Sequence, residues 1–202
     1  MPRGDLPSSL RLFVAIELPD ATKSQLTATA EALKHSGIDA GLRWVRPEGV
    51  HITLKFLGAV DAQRVEAIST ALRIGLQDAP PFDLRPDTIG SFGGRRNLRV
   101  VWVGVGGDTA ALTALAAAVE RALVPLGFAT EQRPFNAHLT LARVQDDTPA
   151  SERERIAMGL ARVPVPPFTM FHVQHISLMQ STLGRGGAVY QALNTFALGG
   201  RA

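Results

Sequence analysis

The sequence repeats itself once. His51-Ile52-Thr53-Leu54 returns as His138-Leu139-Thr140-Leu141, with 87 residues between the two histidines. The landmarks around them return at nearly the same distance: Arg11 to Arg99 is 88 residues, Phe82 to Phe168 is 86 and Ile89 to Ile176 is 87. The Pro-Pro-Phe triplets at 80–82 and 166–168 hold matching places. Solenoid repeats have periods of roughly 20–50 residues, so this spacing implies a duplicated strand–helix–strand–helix–strand unit instead. Two such units related by a pseudo-two-fold would turn their equivalent strands toward a shared cleft.

Element signals agree with the duplication. Residues 1–9 read as a flexible leader, and LRLFVAIEL (10–18) as a strand closed by Pro19. Asp20 is placed to cap a helix running to about His35, with Leu26, Ala30 and Leu33 on its buried stripe and Gly37 as its stop. RWVRPEG (43–49) is a short extended piece and turn, and the first His-x-Thr strand is expected to end at Gly58. Asp61 caps a second helix bearing Val65, Ile68, Leu72 and Leu76. PFDLRPDTIGSF (81–92) is one broken strand or two short ones. The order then restarts: strand 98–105, a helix capped by Asp108 carrying Leu112, Leu115, Val119 and Leu123, and the second His-x-Thr strand. Thr148-Pro149 opens another helix with proline at the favoured first position; 166–181 returns as strand, and a last strand ends at 198. The fold class is therefore α+β: a bilobal duplicated fold, two antiparallel sheets facing a central cleft with helices outside. The domain spans 10–198, with repeats at about 10–93 and 98–182 and a last strand at 189–198.

Alternation along a strand puts His51 and Thr53 on one face and Ile52, Leu54 and Phe56 on the other. His138 and Thr140 are set likewise against Leu139 and Leu141. Two histidines across a cleft suit acid–base work: with ordinary pKa values near ~6.5, one accepts a proton while the other donates. That division of labour opens or transesterifies a phosphate ester, and the two threonine hydroxyls could hydrogen-bond its non-bridging oxygens. A catalytic zinc site takes three protein ligands, and neither motif brings a third, so no metal or cofactor is expected. With no cysteine in 202 residues, thiolate nucleophiles and disulfides are excluded.

RLFVAIELPD, RWVRPEGVHITLKFLG, the Pro-Pro-Phe strand, VVWVGV and RPFNAHLTLARV together resemble the two-histidine (2H) phosphoesterase superfamily, within it the RNA 2′,3′-cyclic phosphodiesterases historically called 2′-5′ RNA ligases. The resemblance covers about 10–198. It implies hydrolysis of a 2′,3′-cyclic phosphodiester at an RNA end to a 2′-phosphate, with His51 as proton donor, His138 as proton acceptor, and Thr53 and Thr140 binding phosphate. Arg143 follows the second motif as in many relatives and could hold phosphate, but strand parity sets it opposite His138 unless the strand bulges or ends there. The partner implied is RNA with a cyclic phosphate end, or a small cyclic nucleotide. Reversible 2′-5′ ligation, 2′-5′ phosphodiester cleavage and a non-catalytic RNA-end-binding module are the alternatives.

The remaining candidates are ordinary surface or core residues in their simplest reading. Lys55 has the parity to face the cleft. Arg43, Arg46, Arg95 and Arg96 could guide an RNA backbone. Trp44, Phe92 and Trp102 could stack a base, although Trp102 sits in an apolar strand and reads as core. His35 reads as an exposed helix end, and His172 and His175 are given no catalytic role. The formal net charge of +3 decides nothing about nucleic acid. No apolar run approaches the ~20 residues of a membrane helix, and a cytoplasmic monomer is expected.

Overall fold

The computed structural model describes residues 9–164, 166–184 and 187–199; the expected leader lies almost wholly outside them. Among the described residues nine strands and four α-helices, apart from short 3-10 turns, run in the order β1 (Ser9–Glu17), α1 (Asp20–His35), β2 (Leu42–Trp44), β3 (His51–Asp61), α2 (Val65–Gly75), β4 (Phe82–Phe92), β5 (Val100–Gly107), α3 (Thr109–Leu123), β6 (His138–Val144), α4 (Ala150–Leu160), β7 (Phe171–Val173), β8 (His175–Gly184) and β9 (Gly187–Ala197). The two expected sheets are the lobes of one curled antiparallel sheet ordered β7-β4-β5-β6-β3-β1-β8-β9, with β2 also paired to β6. The lobes meet at a single residue pair, Ile52 of β3 against Leu139 of β6.

That pair is the origin of the symmetry. Ile52 and Leu139 are equivalent residues of the two repeats, and equivalent residues paired in an antiparallel ladder lie on a local two-fold axis. From the axis outward the strands run β6-β5-β4 on one side and β3-β1-β8 on the other. β4 belongs to the first repeat and β8 to the second, so each lobe takes its third strand from the other repeat. Neither repeat is a lobe. The break expected in 81–92 is a register shift between Pro86 and Ile89 within one continuous β4. Its counterpart in the second repeat is a full interruption at Gln174, between β7 and β8.

One face of the sheet carries the main core. Leu12, Val14, Ile16, Ile52, Val101, Val103, Leu139 and Ile176 meet Leu26 and Leu33 of α1, Ile68 and Leu72 of α2, Leu112, Leu115, Val119 and Leu123 of α3, and Ile156 and Leu160 of α4. Helix α3 and the turn after it, Thr109–Leu126, have the length and hydropathy of a membrane span by composition. Its leucine stripe is nonetheless packed into this core, as amphipathic core helices require. The opposite sheet face holds a small cluster of Phe13, Ala15 and Met179 with Tyr190 against it. That face forms the cleft.

Several helix starts differ from the sequence reading. Pro19 occupies the cap position of α1, one residue earlier than expected, and Pro149 that of α4, one residue later than expected, and neither helix has a side-chain cap. The buried stripe of α1 is Thr22, Leu26, Thr29 and Leu33, with Ala30 beside it. Asp108 holds the cap position of α3 as expected but makes no side-chain cap bond: its carboxylate accepts from the Asp83 N–H at 3.1 Å, tying β4 to the end of β5. Asp61 caps the 3-10 turn Ala62–Arg64 that leads into α2, accepting from the Gln63 N–H at 2.8 Å, and the cap position of α2 itself is Arg64. β3 runs through Gly58, whose φ of +73° suits glycine, to Asp61.

Candidate active site

Antiparallel pairing of Ile52 with Leu139 puts His51 opposite Thr140 and Thr53 opposite His138. Ile52 and Leu139 are fully buried on the helix side. By alternation the four flanking side chains all project into the cleft, each half-buried. The two His-x-Thr motifs therefore form one constellation around the axis. The Thr53 and Thr140 hydroxyls have no protein partner among the described residues, whereas Thr27, Thr29 and Thr113 each donate to the carbonyl four residues back. They are free to donate to a ligand.

Beyond the histidines both strands bulge at equivalent places. In β3, Val14 pairs with Lys55 and Ala15 with Thr53, leaving Leu54 as the extra residue. In β6, Val101 pairs with Ala142 and Trp102 with Thr140, leaving Leu141 extra. A bulge inverts the parity of every strand residue beyond it, and this overturns three placements. Lys55 turns away from the cleft into the helix side, where its ammonium lies 2.6 Å from Glu120 and donates to the Ala129 carbonyl at 2.8 Å. Phe56, expected in the core, is exposed on the cleft side 6.2 Å from the Phe13 ring. Arg143 reaches the same face as His138. Phe56 and Arg143 are thus equivalent residues brought beside the constellation by equivalent bulges.

Each histidine has an aromatic seat and a backbone partner. Phe13 packs on His51 with ring centroids 4.7 Å apart, and Tyr190 meets its edge at 5.0 Å. Phe92 stands edge-on to His138 at 4.7 Å. Trp102, expected in the core, is half-exposed on the cleft face 5.3 Å from Phe92, its indole N–H buried without a partner among the described residues. Room for the indole comes from Gly90, where a Cβ would stand 2.3 Å from Trp102 Cη2. His138 Nδ1 lies 2.8 Å from the Asn136 carbonyl oxygen. A carbonyl only accepts, so Nδ1 carries the hydrogen and Nε2 is left for chemistry. The Gly49 carbonyl, likewise two residues upstream, hydrogen-bonds the His51 ring.

The two imidazoles are not electrostatically alike. Burial above all, with His138 and Arg143 adding to it, pushes His51 down to about 4 against the opposing pull of the Gly49 carbonyl and Glu17. His51 is therefore neutral at neutral pH in the unliganded protein, below the ordinary value expected from the sequence. Glu17 pairs with His51 across β1 and accepts a 2.5 Å hydrogen bond from the Ser177 hydroxyl, which lies 3.2 Å from Thr195 Oγ1.

The 2′-5′ RNA ligase superfamily model matches residues 22–185. The chain belongs to that superfamily. An Archaeoglobus fulgidus protein named RNA 2′,3′-cyclic phosphodiesterase is 33% identical over 187 residues, covering 93% of this chain and 99% of the relative. Its namesake from Methanocaldococcus jannaschii is 30% identical over 184 residues, covering 91% and 98%. The crystal structure of Escherichia coli LigT complexed with 3′-AMP superposes with a TM-score of 0.72 at 30% identity, covering 94% of this chain and 98% of that one.

Within this superfamily member the remaining candidates fall away from the histidines. Trp44 donates to Asp39 at 2.7 Å and carries Lys34 over its ring, so it is occupied by its own neighbourhood. Arg46 is exposed in the loop after β2, and Arg95 and Arg96 are exposed on a 3-10 turn, Arg95–Asn97, between β4 and β5. His35 is exposed and bonds the Glu31 carbonyl; His172 pairs with Asp83 at 2.7 Å on β7, and His175 is exposed. Among the described residues no three His, Asp or Glu side chains are grouped to hold a metal. The sequence reading missed Phe13, Glu17, Phe56 and Tyr190. Phe13 and Glu17 were legible: each stands at even spacing from Ala15 in a strand whose alternate residues, Leu12, Val14 and Ile16, are core. Tyr190 lies on β9, outside the duplication, and nothing in the sequence ties it to His51.

Proposed function

We propose that this protein hydrolyses RNA 2′,3′-cyclic phosphate ends to 2′-phosphates by metal-independent acid–base catalysis between His51 and His138. The supporting observation is the constellation of two histidines and two unpartnered threonine hydroxyls around the Ile52–Leu139 pair. The names of its relatives agree with this substrate class. Water attacks phosphorus as His138 takes its proton, and the P–O3′ bond breaks as His51 protonates the departing O3′. Thr53 and Thr140 donate to the non-bridging oxygens, which gain charge in the transition state. Arg143 supplies a fixed positive charge beside them. All these groups come from one chain, so a monomer suffices.

His51 enters this scheme neutral. The bound phosphate anion offsets the charge of Arg143 and favours the protonated imidazole, so His51 takes up its proton together with the substrate. A second reaction, joining a 2′,3′-cyclic end to a 5′-hydroxyl through a 2′-5′ linkage, uses the same groups. The hydroxyl attacks phosphorus in place of water, His138 takes its proton and His51 protonates the departing O3′, and cleavage of that linkage is its reverse. The superfamily's name agrees with this chemistry. The test is incubation, in EDTA, with adenosine 2′,3′-cyclic phosphate and a short RNA bearing that end, resolving 2′- from 3′-phosphate. The 2′-phosphate alone is expected. A 3′-phosphate would reverse the leaving group, and loss of turnover in EDTA would require a metal.

A further inference from the structure

Arg143 faces two places at once. On one side it acts on His51; on the other it lines a cavity of about 580 Å³ where β2, β5 and β6 end, together with Arg43, Arg99 and Arg153. Arg43 pairs directly with Arg143 across β2 and β6, an arrangement in which like charges repel. None of Arg43, Arg99 and Arg143 has a carboxylate within salt-bridge distance among the described residues. Asp146 and Asp147 also line the cavity, but neither pairs with an arginine there. Arg153 differs in kind: its guanidinium donates to the carbonyls of Leu98, Gln145, Asp146 and Thr148, so it holds the wall together while adding charge. Three unpaired guanidinium groups crowded against one another are satisfied by an anion with several oxygens.

Resting on the proposed reading of the cleft, we propose that Arg43 and Arg99, with Arg143, form a second phosphate subsite that holds the internal phosphodiester on the 5′ side of the terminal nucleotide. Arg143 is three residues past Thr140 on a bulged strand, so its backbone stands roughly 7–10 Å along β6 from that of Thr140 at about 3.3 Å per residue, and the subsite lies on its far side from the reacting phosphate. A chain leaving the cleft past Arg143 meets Arg43 next. The subsite would make the protein prefer an oligonucleotide end over a mononucleotide, and that preference would weaken with salt as phosphate contacts do.

The test compares adenosine 2′,3′-cyclic phosphate with the dinucleotide ApA 2′,3′-cyclic phosphate, for the natural protein and the Arg43→Ala/Arg99→Ala variant. The variant should keep mononucleotide kcat/KM, which also reports that it is folded, and lose about tenfold or more on the dinucleotide. Equal effects on both substrates, or none on either, would overturn the subsite. Binding of the 2′-phosphate products, Ap and ApAp, by titration calorimetry gives a second readout that needs no turnover. The variant should lose only the tighter binding of ApAp. If the natural protein hydrolyses neither substrate, the catalytic reading fails, and the ApAp-to-Ap binding ratio still decides the subsite.

Discussion

His51 is the residue whose environment makes the strongest demands. It is held neutral down to about pH 4 in the fold, while in the unfolded chain it gains a proton near pH ~6.5. A group with a lowered native pKa is protonated preferentially in the unfolded state, so its contribution to stability is lost as pH falls from 6.5 toward 4. Between pH 7 and pH 5 that loss is about 2 kcal/mol. Denaturant unfolding at the two pH values should show it, and a His51→Gln variant should lack it; an unchanged difference in the variant would place the acid sensitivity elsewhere. Substrate binding near pH 6 should draw in a proton, measurable by calorimetry in buffers of different ionisation enthalpy. No proton uptake would leave His51 unable to serve as donor. Both histidines and both threonines could be read from the sequence because alternation needs only local strand geometry. The pKa could not, since it depends on Phe13, Tyr190 and Arg143, which come from other strands.

At the level of elements, the twin bulges at Leu54 and Leu141 decide what the cleft contains. Plain alternation assigned Lys55 to the cleft and Phe56 to the core, and set Arg143 against His138; one extra residue in each strand reverses all three. Bulges leave no composition signal here: Leu54 and Leu141 are leucines like their neighbours. The buried Lys55–Glu120 pair checks the reversal. Lys55→Ala should destabilise the protein by about 3 kcal/mol, because it leaves Glu120 partly buried and uncompensated. Lys55→Met with Glu120→Leu should recover most of that, and neither variant should change substrate KM. A KM effect without loss of stability would return Lys55 to the cleft. Gly90 makes a parallel case on β4. A Gly90→Ala methyl would collide with the Trp102 indole, which should displace Phe92 from His138, reduce turnover and change tryptophan fluorescence; unchanged fluorescence and activity would show that the indole is not seated there.

The whole molecule is organised by exchange of strands between its halves. Since β4 completes the lobe of the second repeat and β8 that of the first, the segments 10–93 and 98–182 should each fail to fold alone by circular dichroism, and unfolding of the full chain should be a single transition. Independent folding of either segment would contradict the exchange. The duplication itself was visible in the sequence because its landmarks recur at a constant spacing. The exchange was not, since nothing in a repeat shows which copy its last strand joins. The same two-fold brings the two histidines into one cleft, and the most direct measurement of the reaction proposed for them is a cycle on adenosine 2′,3′-cyclic phosphate in EDTA with His51→Ala, His138→Ala and the double variant. Each single variant should lose ~10²–10⁴-fold in turnover with its thermal unfolding retained, and the double variant should lose little more, as residues acting as a unit do. A single variant with near-natural turnover, or losses that multiply in the double variant, would mean that the two histidines do not share one proton-transfer reaction.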